Sequence, residues 1–203
     1  MNATNQSAPK LEAPGAGLPF IQRFFLRAWI GPITSKRVPP PETKTRYEAI
    51  TKKIIELSSN LSPAERSRKI LIAPMAGLED SSRYWSISET LEHLLIVSKS
   101  VEKVILSLSA GKIPDGKADV AKVKPGAAAY DQLEEFASYA PSLVVKIDLA
   151  LKEKGMNFKS ELCYEHPWFG PFKARQWYWL LSVHQGIHYQ QIKAIIRGLK
   201  EKA

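Results

Sequence analysis

The chain has 203 residues, of which 44% are hydrophobic, and its formal net charge is +9. This length and composition suit one domain with one core, and no apolar run approaches the roughly 20 residues of a membrane-spanning helix. Because the single cysteine, Cys163, excludes an internal disulfide and the N-terminal sequence lacks a signal-peptide pattern, we expect a cytoplasmic protein.

The positive charge is scattered along the chain, in segments such as "TKKII", "ERSRK" and "IIRGLKEK". A summed positive field attracts nucleic acids and anionic membranes, but no recognisable nucleic-acid module accompanies these residues. We therefore favour a generally basic surface and expect no specific nucleic-acid binding.

Residues 1–41 are predicted to form a flexible segment rich in small and polar residues and in proline, with a short amphipathic arm at residues 20–30. The arm, "FIQRFFLRAWI", spaces its aromatic residues as a helix would and places arginines between them. Two interpretations remain open: the arm docks on the domain or on a second copy of it, or it makes a peripheral contact with a membrane surface. We favour docking, because the segment is short and a stiff proline-rich linker follows it.

Residues 42–203 are predicted to form the folded domain, and its first helix begins at Glu42, with apolar residues recurring every three or four positions. "LSPAE" predicts a short helical turn with a capping box. The second long helix starts with the capping-box pair Ser86 and Glu89 and ends at Gly111, a residue typical of helix C-termini.

After a polar crossover, a third helix is predicted from Tyr130 to Gly155, with Pro141 bending or splitting it. A loop with a short extended stretch precedes the fourth helix, which is expected from about Phe172 to Leu199. Four amphipathic helices with one long crossover predict an all-α protein, a four-helix bundle. Three aromatic residues fall on the outer side of the last helix, where we expect the arm to cover them: Tyr178, Trp179 and Tyr189.

Three of the four histidines lie on core-facing helical surfaces. His184 and His188 are one turn apart on the fourth helix, and His93 lies on the inner face of the second. Residues four apart on a helix have Cβ atoms about 5–6 Å from each other, so both imidazoles can reach one ion, and His93 can supply a third ligand. We favour a divalent metal site over three separately hydrogen-bonded core histidines.

Glu89 precedes His93 by one turn on the same face. It is a candidate for a general base, for a hydrogen-bond partner that orients a metal ligand, or for an additional ligand of the site. We nevertheless favour its structural role in the capping box. Trp85 and Trp177 are expected to line the core or a pocket, and Cys163 is expected to be an inert loop residue.

The segments "WSISETLEHL" and "HPWFGPFKARQWYWLLSVHQGIHYQQI" resemble the DinB-like superfamily over roughly residues 42–199. The resemblance implies a down-up-up-down bundle, frequent homodimers, and a divalent metal, nickel or zinc, held by the residues that match the family's triad: His93, His184 and His188. Gln191 matches a glutamine of the family pattern, and we expect it either to form a hydrogen bond with a metal ligand or to pack in the core. His166 matches a histidine that is not a ligand, so we expect it in turn architecture or at the pocket rim. The arm lies outside this resemblance.

The family includes transferases and isomerases that depend on a low-molecular-weight thiol, together with members of unknown activity. Three neutral imidazoles leave a metal with open positions, where water or a thiol could be activated. The first hypothesis is therefore a metal-dependent transferase, isomerase or hydrolase of a small electrophilic molecule. The second is a non-catalytic metal- or ligand-binding module, and the third is a protein that binds an anionic surface, a membrane or a nucleic acid, through its basic field and its arm.

Overall fold

The computed structural model describes residues 9–13, 16, 37–126 and 130–201. Most of the described chain is helical, with two small antiparallel sheets, so the prediction of an all-α protein is confirmed at the level of class. The predicted arm at residues 20–30 lies outside the described residues. Within the predicted flexible segment, the backbone nitrogen of Glu12 donates to Asp80 Oδ2 at 2.9 Å.

The first helix, α1 (Pro40–Ser59), begins two residues before the predicted boundary because proline is well suited to the first position of a helix. The short helix α2 (Pro63–Ser67) has the predicted capping box, in which Ser62 and Glu65 satisfy each other's backbone N–H groups. Two short strands, β1 (Ile70–Leu71) and β2 (Tyr84–Trp85), then pair antiparallel across a loop that contains a 3-10 turn at Asp80–Ser82.

The second long helix is α3 (Ile87–Ser109), and its predicted capping box is also confirmed. Ser86 Oγ accepts from the backbone nitrogen of Glu89 at 3.1 Å, while Glu89 Oε2 accepts from the backbone nitrogen of Ser86 at 2.8 Å. The helix ends before Gly111, whose φ of 76° lies in the left-handed region that glycine adopts without steric cost.

Pro141 splits the predicted third helix, because proline cannot donate an intrahelical hydrogen bond. The structure has α4 (Leu133–Tyr139), a 3-10 turn at Ala140–Ser142, and α5 (Leu143–Glu153). The predicted start was wrong: Tyr130 precedes the helix and is 69% exposed.

A hairpin of β3 (Cys163–His166) and β4 (Gly170–Lys173) precedes the last helix, α6 (Ala174–Glu201). This helix begins two residues after the predicted start at about Phe172, because Phe172 pairs with Tyr164 in the hairpin. The buried ring of Phe172 packs against Trp177 and Trp179, so the hairpin covers the beginning of α6.

Helix α6 is central, packing against both α1 and α3, while α3 also packs against α4 and α5. The outer aromatic residues of α6 have partners within the described chain. Tyr178 is buried, contacts Phe158 and donates to Asp148 Oδ1 at 3.1 Å, and Trp179 is buried against the hairpin. The expectation that residues 20–30 cover this side lies outside the described residues.

Candidate metal centre

The three histidines predicted as ligands come together between α3 and α6. His184 Nε2 lies 3.1 Å from His93 Nε2 and 3.1 Å from His188 Nε2. Among the described residues, these three are the group of histidine, cysteine and acidic side chains whose ligand atoms lie close enough to share one ion. His93 and His188 are buried and His184 is half-buried, so one side of the group is accessible.

Hydrogen bonds on the far side of two rings fix their orientation. His93 Nδ1 lies 2.6 Å from the carbonyl oxygen of Val123, and His188 Nδ1 lies 2.6 Å from Gln191 Oε1. Because both oxygens are acceptors, each Nδ1 carries the hydrogen and each Nε2 presents a lone pair. Gln191 Nε2 donates to the carbonyl oxygen of Ser82 at 2.8 Å, which sets the orientation of its amide.

This arrangement leaves at least one close contact between ring nitrogens without a hydrogen bond. His184 Nε2 carries at most one hydrogen, which can point to only one of its two neighbours, so in the other 3.1 Å contact the lone pair of His93 Nε2 or His188 Nε2 faces a nitrogen with no hydrogen between them. A cation among the three nitrogens removes that repulsion. Nitrogens 2.0–2.1 Å from one metal ion lie about 2.9 Å apart at octahedral angles and about 3.4 Å apart at tetrahedral angles. The two 3.1 Å separations from His184 Nε2 fall between these values, and all three ligand atoms lie within 4.8 Å of one another, so the cluster fits a divalent metal.

The electrostatic environment keeps the three imidazoles neutral. Burial holds the pKa of His93 and of His184 well below the ordinary value, and the charge of a protonated His188 would lower both further. Burial also lowers the pKa of His188 to about 4, although its hydrogen bond with Gln191 acts in the opposite direction. Neutral imidazole is the form that binds metals, so protons do not compete for the site at neutral pH.

The accessible side of the group opens into a cavity of about 300 Å³, at the lower end of the range for small-molecule sites. All three candidate ligands line it. Its other walls come from α3, the hairpin, α6 and the crossover, and they are mostly apolar: Val97, Val101, Val104, Trp168, Trp177 and Leu180.

A largely buried ion pair, which was not predicted from the sequence, forms part of the same wall. Lys124 Nζ lies 2.5 Å from Glu79 Oε2 and also donates to Ser82 Oγ at 2.7 Å. Burial lowers the pKa of Lys124, while Glu79 opposes that shift. The two residues are 45 positions apart in segments with no helical or strand periodicity, so no local pattern predicts their contact.

The structure places Glu89 away from the metal cluster. Its Oε2 caps the start of α3 and its Oε1 pairs with Lys69 Nζ at 2.6 Å. The capping interpretation is thus confirmed. Glu89 is not among the described residues whose ligand atoms lie close enough to share an ion, and both of its carboxylate oxygens have partners in these contacts.

The remaining candidates take different positions. Gln191 forms a hydrogen bond with the candidate ligand His188, as described above. His166 is part of turn architecture, as predicted: its Nδ1 accepts from the backbone nitrogens of Trp168 and Phe169, and burial lowers its pKa to about 3. The ring of Trp85 lies 5.2 Å from that of His93, and Trp177 lines the cavity. Cys163 is half-buried in the hairpin and does not join the metal cluster.

Comparisons with family models, with curated proteins and with solved structures found no match for this chain. Within the described ranges, no helix has both the length and the apolar character needed to cross a membrane. The site's own geometry therefore has to support any functional assignment.

Proposed function

We propose that this chain is a metal-dependent enzyme of small molecules in which His93, His184 and His188 hold one divalent ion, nickel or zinc. The observation that carries the proposal is the convergence of three Nε2 atoms within 3.1 Å contacts, while the Nδ1 atoms of two of the rings face fixed acceptors. Outer hydrogen bonds of this kind orient metal-binding histidines and select their tautomer.

The ion would supply a Lewis acid that activates a bound water or a low-molecular-weight thiol as a nucleophile. This chain's residues then have separate roles. Val123 and Gln191 hold two imidazoles in place, and the apolar cavity walls exclude bulk water and contact a small electrophilic substrate. Transfer, hydrolysis or isomerisation of that substrate are the reactions such a site supports.

We further propose a DinB-like bundle for the domain. Support comes from α1 and α3 packing on α6, the crossover between α3 and α4, and the positions of the three histidines on α3 and α6. A homodimer is part of the same proposal.

Metal analysis tests the proposal directly, with the fourth histidine as a matched control. Protein purified without chelators and loaded with Ni²⁺ or Zn²⁺ is expected to retain about one ion per chain after gel filtration. His93→Ala and His188→Ala are expected to lose it, whereas His166→Asn keeps it, because His166 Nδ1 serves the hairpin turn. A wild-type protein that retains no divalent ion would overturn the assignment.

The non-catalytic binding module shares this metal site and is separated from the enzyme by an activity screen. Metal-loaded protein is incubated with thiols and small electrophiles, and product formation is compared with that of His188→Ala. Turnover that requires His188 supports the enzyme, whereas stable metal binding without turnover in any combination favours the binding module.

A further inference from the structure

The cavity wall contains a buried carboxylate oxygen whose hydrogen-bonding capacity is unused by the described residues. Glu79 is 3% exposed and lines the same cavity as the three histidines, and its Oε1 has no hydrogen-bond partner in the described part of the chain. A buried charged acceptor is costly to leave unpaired, so this position requires a donor.

The surrounding hydrogen bonds fix which oxygen is left over. Lys124 Nζ contacts Glu79 Oε2 and donates to the hydroxyls of Ser81 and Ser82 at 3.1 and 2.7 Å. An ammonium group has three hydrogens, and these contacts use all of them. Lys124 therefore holds Oε2 and has no hydrogen left for Oε1.

The same hydrogen bonds connect Glu79 with the histidine cluster. The carbonyl oxygen of Ser82 accepts from Gln191 Nε2, and Gln191 Oε1 accepts from His188 Nδ1. The backbone of Val123, which precedes Lys124, accepts from His93 Nδ1. Ser82 and the segment Val123–Lys124 therefore contact both the ion pair and the residues that orient the candidate metal ligands.

The chemistry of the cavity selects the kind of donor. Apolar side chains such as Val97, Val101 and Leu180 form most of the remaining wall, which also includes the polar residues Ser100, Lys117, Asp119 and Lys122, so the body of a ligand is mainly apolar. An ammonium head group would be repelled by the charge of Lys124 and by the proposed divalent ion. A neutral hydroxyl or thiol supplies the hydrogen without that repulsion.

We propose that Glu79 Oε1 accepts a hydrogen bond from the hydroxyl or thiol group of an otherwise apolar small molecule that binds in this cavity. The inference deepens the proposed function and rests on it, because the cavity is the one onto which the histidine cluster opens.

Two neutral probes of matched size test the proposal. 1-Phenylethanol carries a hydroxyl donor, and acetophenone presents only an acceptor at the same position. Their dissociation constants are measured by calorimetry with metal-free and metal-loaded protein. Wild type is expected to bind the alcohol about tenfold more tightly, since hydrogen bonds to charged groups contribute this much or more. In metal-free protein, 1-phenylethanethiol shows whether a thiol is the better head group.

The substitution Glu79→Gln replaces the free hydrogen-bond acceptor of the cavity wall with a donor. The single amide oxygen must face the Lys124 ammonium, so the amide NH₂ takes the place of Oε1 and offers a donor in place of an acceptor. The preference for the alcohol is expected to disappear or reverse. The control Glu56→Gln removes the same charge from an exposed position on α1 and should keep the wild-type preference.

Equal binding of alcohol and ketone to wild type would overturn the proposal, as would no binding of either up to the solubility limit. An unchanged preference in Glu79→Gln would overturn it as well. The wild-type ratio alone is decisive if the variant does not fold. Metal content is recorded on the same samples, so failure of the metal assignment is seen separately from failure of the ligand assignment.

Discussion

Two largely buried ion pairs of this chain, Arg66–Asp131 and Lys124–Glu79, differ in how completely their carboxylate oxygens are hydrogen-bonded. Near the N-terminus of α3, the Arg66 guanidinium contacts Asp131 Oδ2 and donates to the carbonyl oxygens of Ser58 and Leu61, while Asp131 Oδ1 accepts from the backbone nitrogen of Leu133. In the cavity wall, Lys124 pairs with one oxygen of Glu79, and the other oxygen has no partner among the residues the structure describes.

This difference separates a structural pair from a binding pair. The Arg66–Asp131 pair connects α2 with the segment just before α4 and leaves neither oxygen of its carboxylate unpaired, so removal of one partner would leave the other without its contact. The Lys124–Glu79 pair lines the same cavity as the three histidines, and Glu79 Oε1 has no hydrogen-bond partner among the described residues. Buried polar groups left unpaired in this way are typical of sites that bind ligands.

Removing Arg66 is expected to have the largest effect. Arg66→Met leaves Asp131 and two carbonyl oxygens without their donor, which should lower the free energy of unfolding by about 3 kcal/mol. Urea denaturation measures this loss, and Arg68→Met is the control because Arg68 is exposed and makes one long contact with Leu199. Metal content should not change. A loss below about 1 kcal/mol would contradict a structural role for the pair.

Acid is expected to affect the cavity side at a higher pH than the Arg66–Asp131 side. Burial lowers the pKa of His166 from 6.5 to about 3, so the unfolded chain binds more protons between these values and stability falls as the pH drops through them. The Arg66 guanidinium lowers the pKa of Asp131 below 3.8, so that pair loses its contribution only in stronger acid.

His166→Asn replaces a titrating acceptor with an amide oxygen. In metal-free protein, the fall in unfolding free energy between pH 6.5 and 4.5 should be smaller than in wild type by about 2 kcal/mol. Urea denaturation at several pH values measures it. Identical pH dependence in the two proteins would show that His166 titrates normally in the fold.

Gln191→Leu is expected to weaken metal binding without unfolding the chain. The substitution removes the acceptor that orients His188, and loss of such a partner typically costs 10–100-fold in metal affinity. Competition with a chromophoric chelator measures the dissociation constant. Gln185→Leu is the matched control, because Gln185 is also buried on α6 but donates to Thr51 on α1. Equal affinities for the two variants would argue against an orienting role of Gln191.

Glu89→Ala should give the smallest effect. It removes a capping contact at the start of α3 and an ion pair with Lys69, whose side chain is 48% exposed, so we expect a stability loss of about 1 kcal/mol. Thermal unfolding measures the loss. Metal content and the ratio of the dissociation constants for the alcohol and the ketone should equal those of wild type. A loss of metal would indicate that Glu89 takes part in the metal site.

Much of the helical framework could be predicted from the sequence. The capping boxes at Ser62 and Ser86, the break at Pro141 and the end of α3 before Gly111 are local, because each depends on hydrogen bonds or dihedral angles within a few residues. The predicted helix start at Tyr130 was wrong, and α6 begins two residues after its predicted start at about Phe172. The hairpin takes Phe172 through pairing with Tyr164, which an amphipathic pattern does not encode.

For the candidate metal site, too, some features follow from the sequence and others only from the tertiary structure. The sequence by itself determined that His93, His184 and His188 face inward, because helical periodicity fixes the direction of a side chain. Only the tertiary structure decided that their Nε2 atoms meet, that Glu89 caps α3, and that Glu79 and Lys124 form the polar wall of the cavity. Those contacts join irregular segments far apart in the chain, and their geometry is set by the packing of the helices around them.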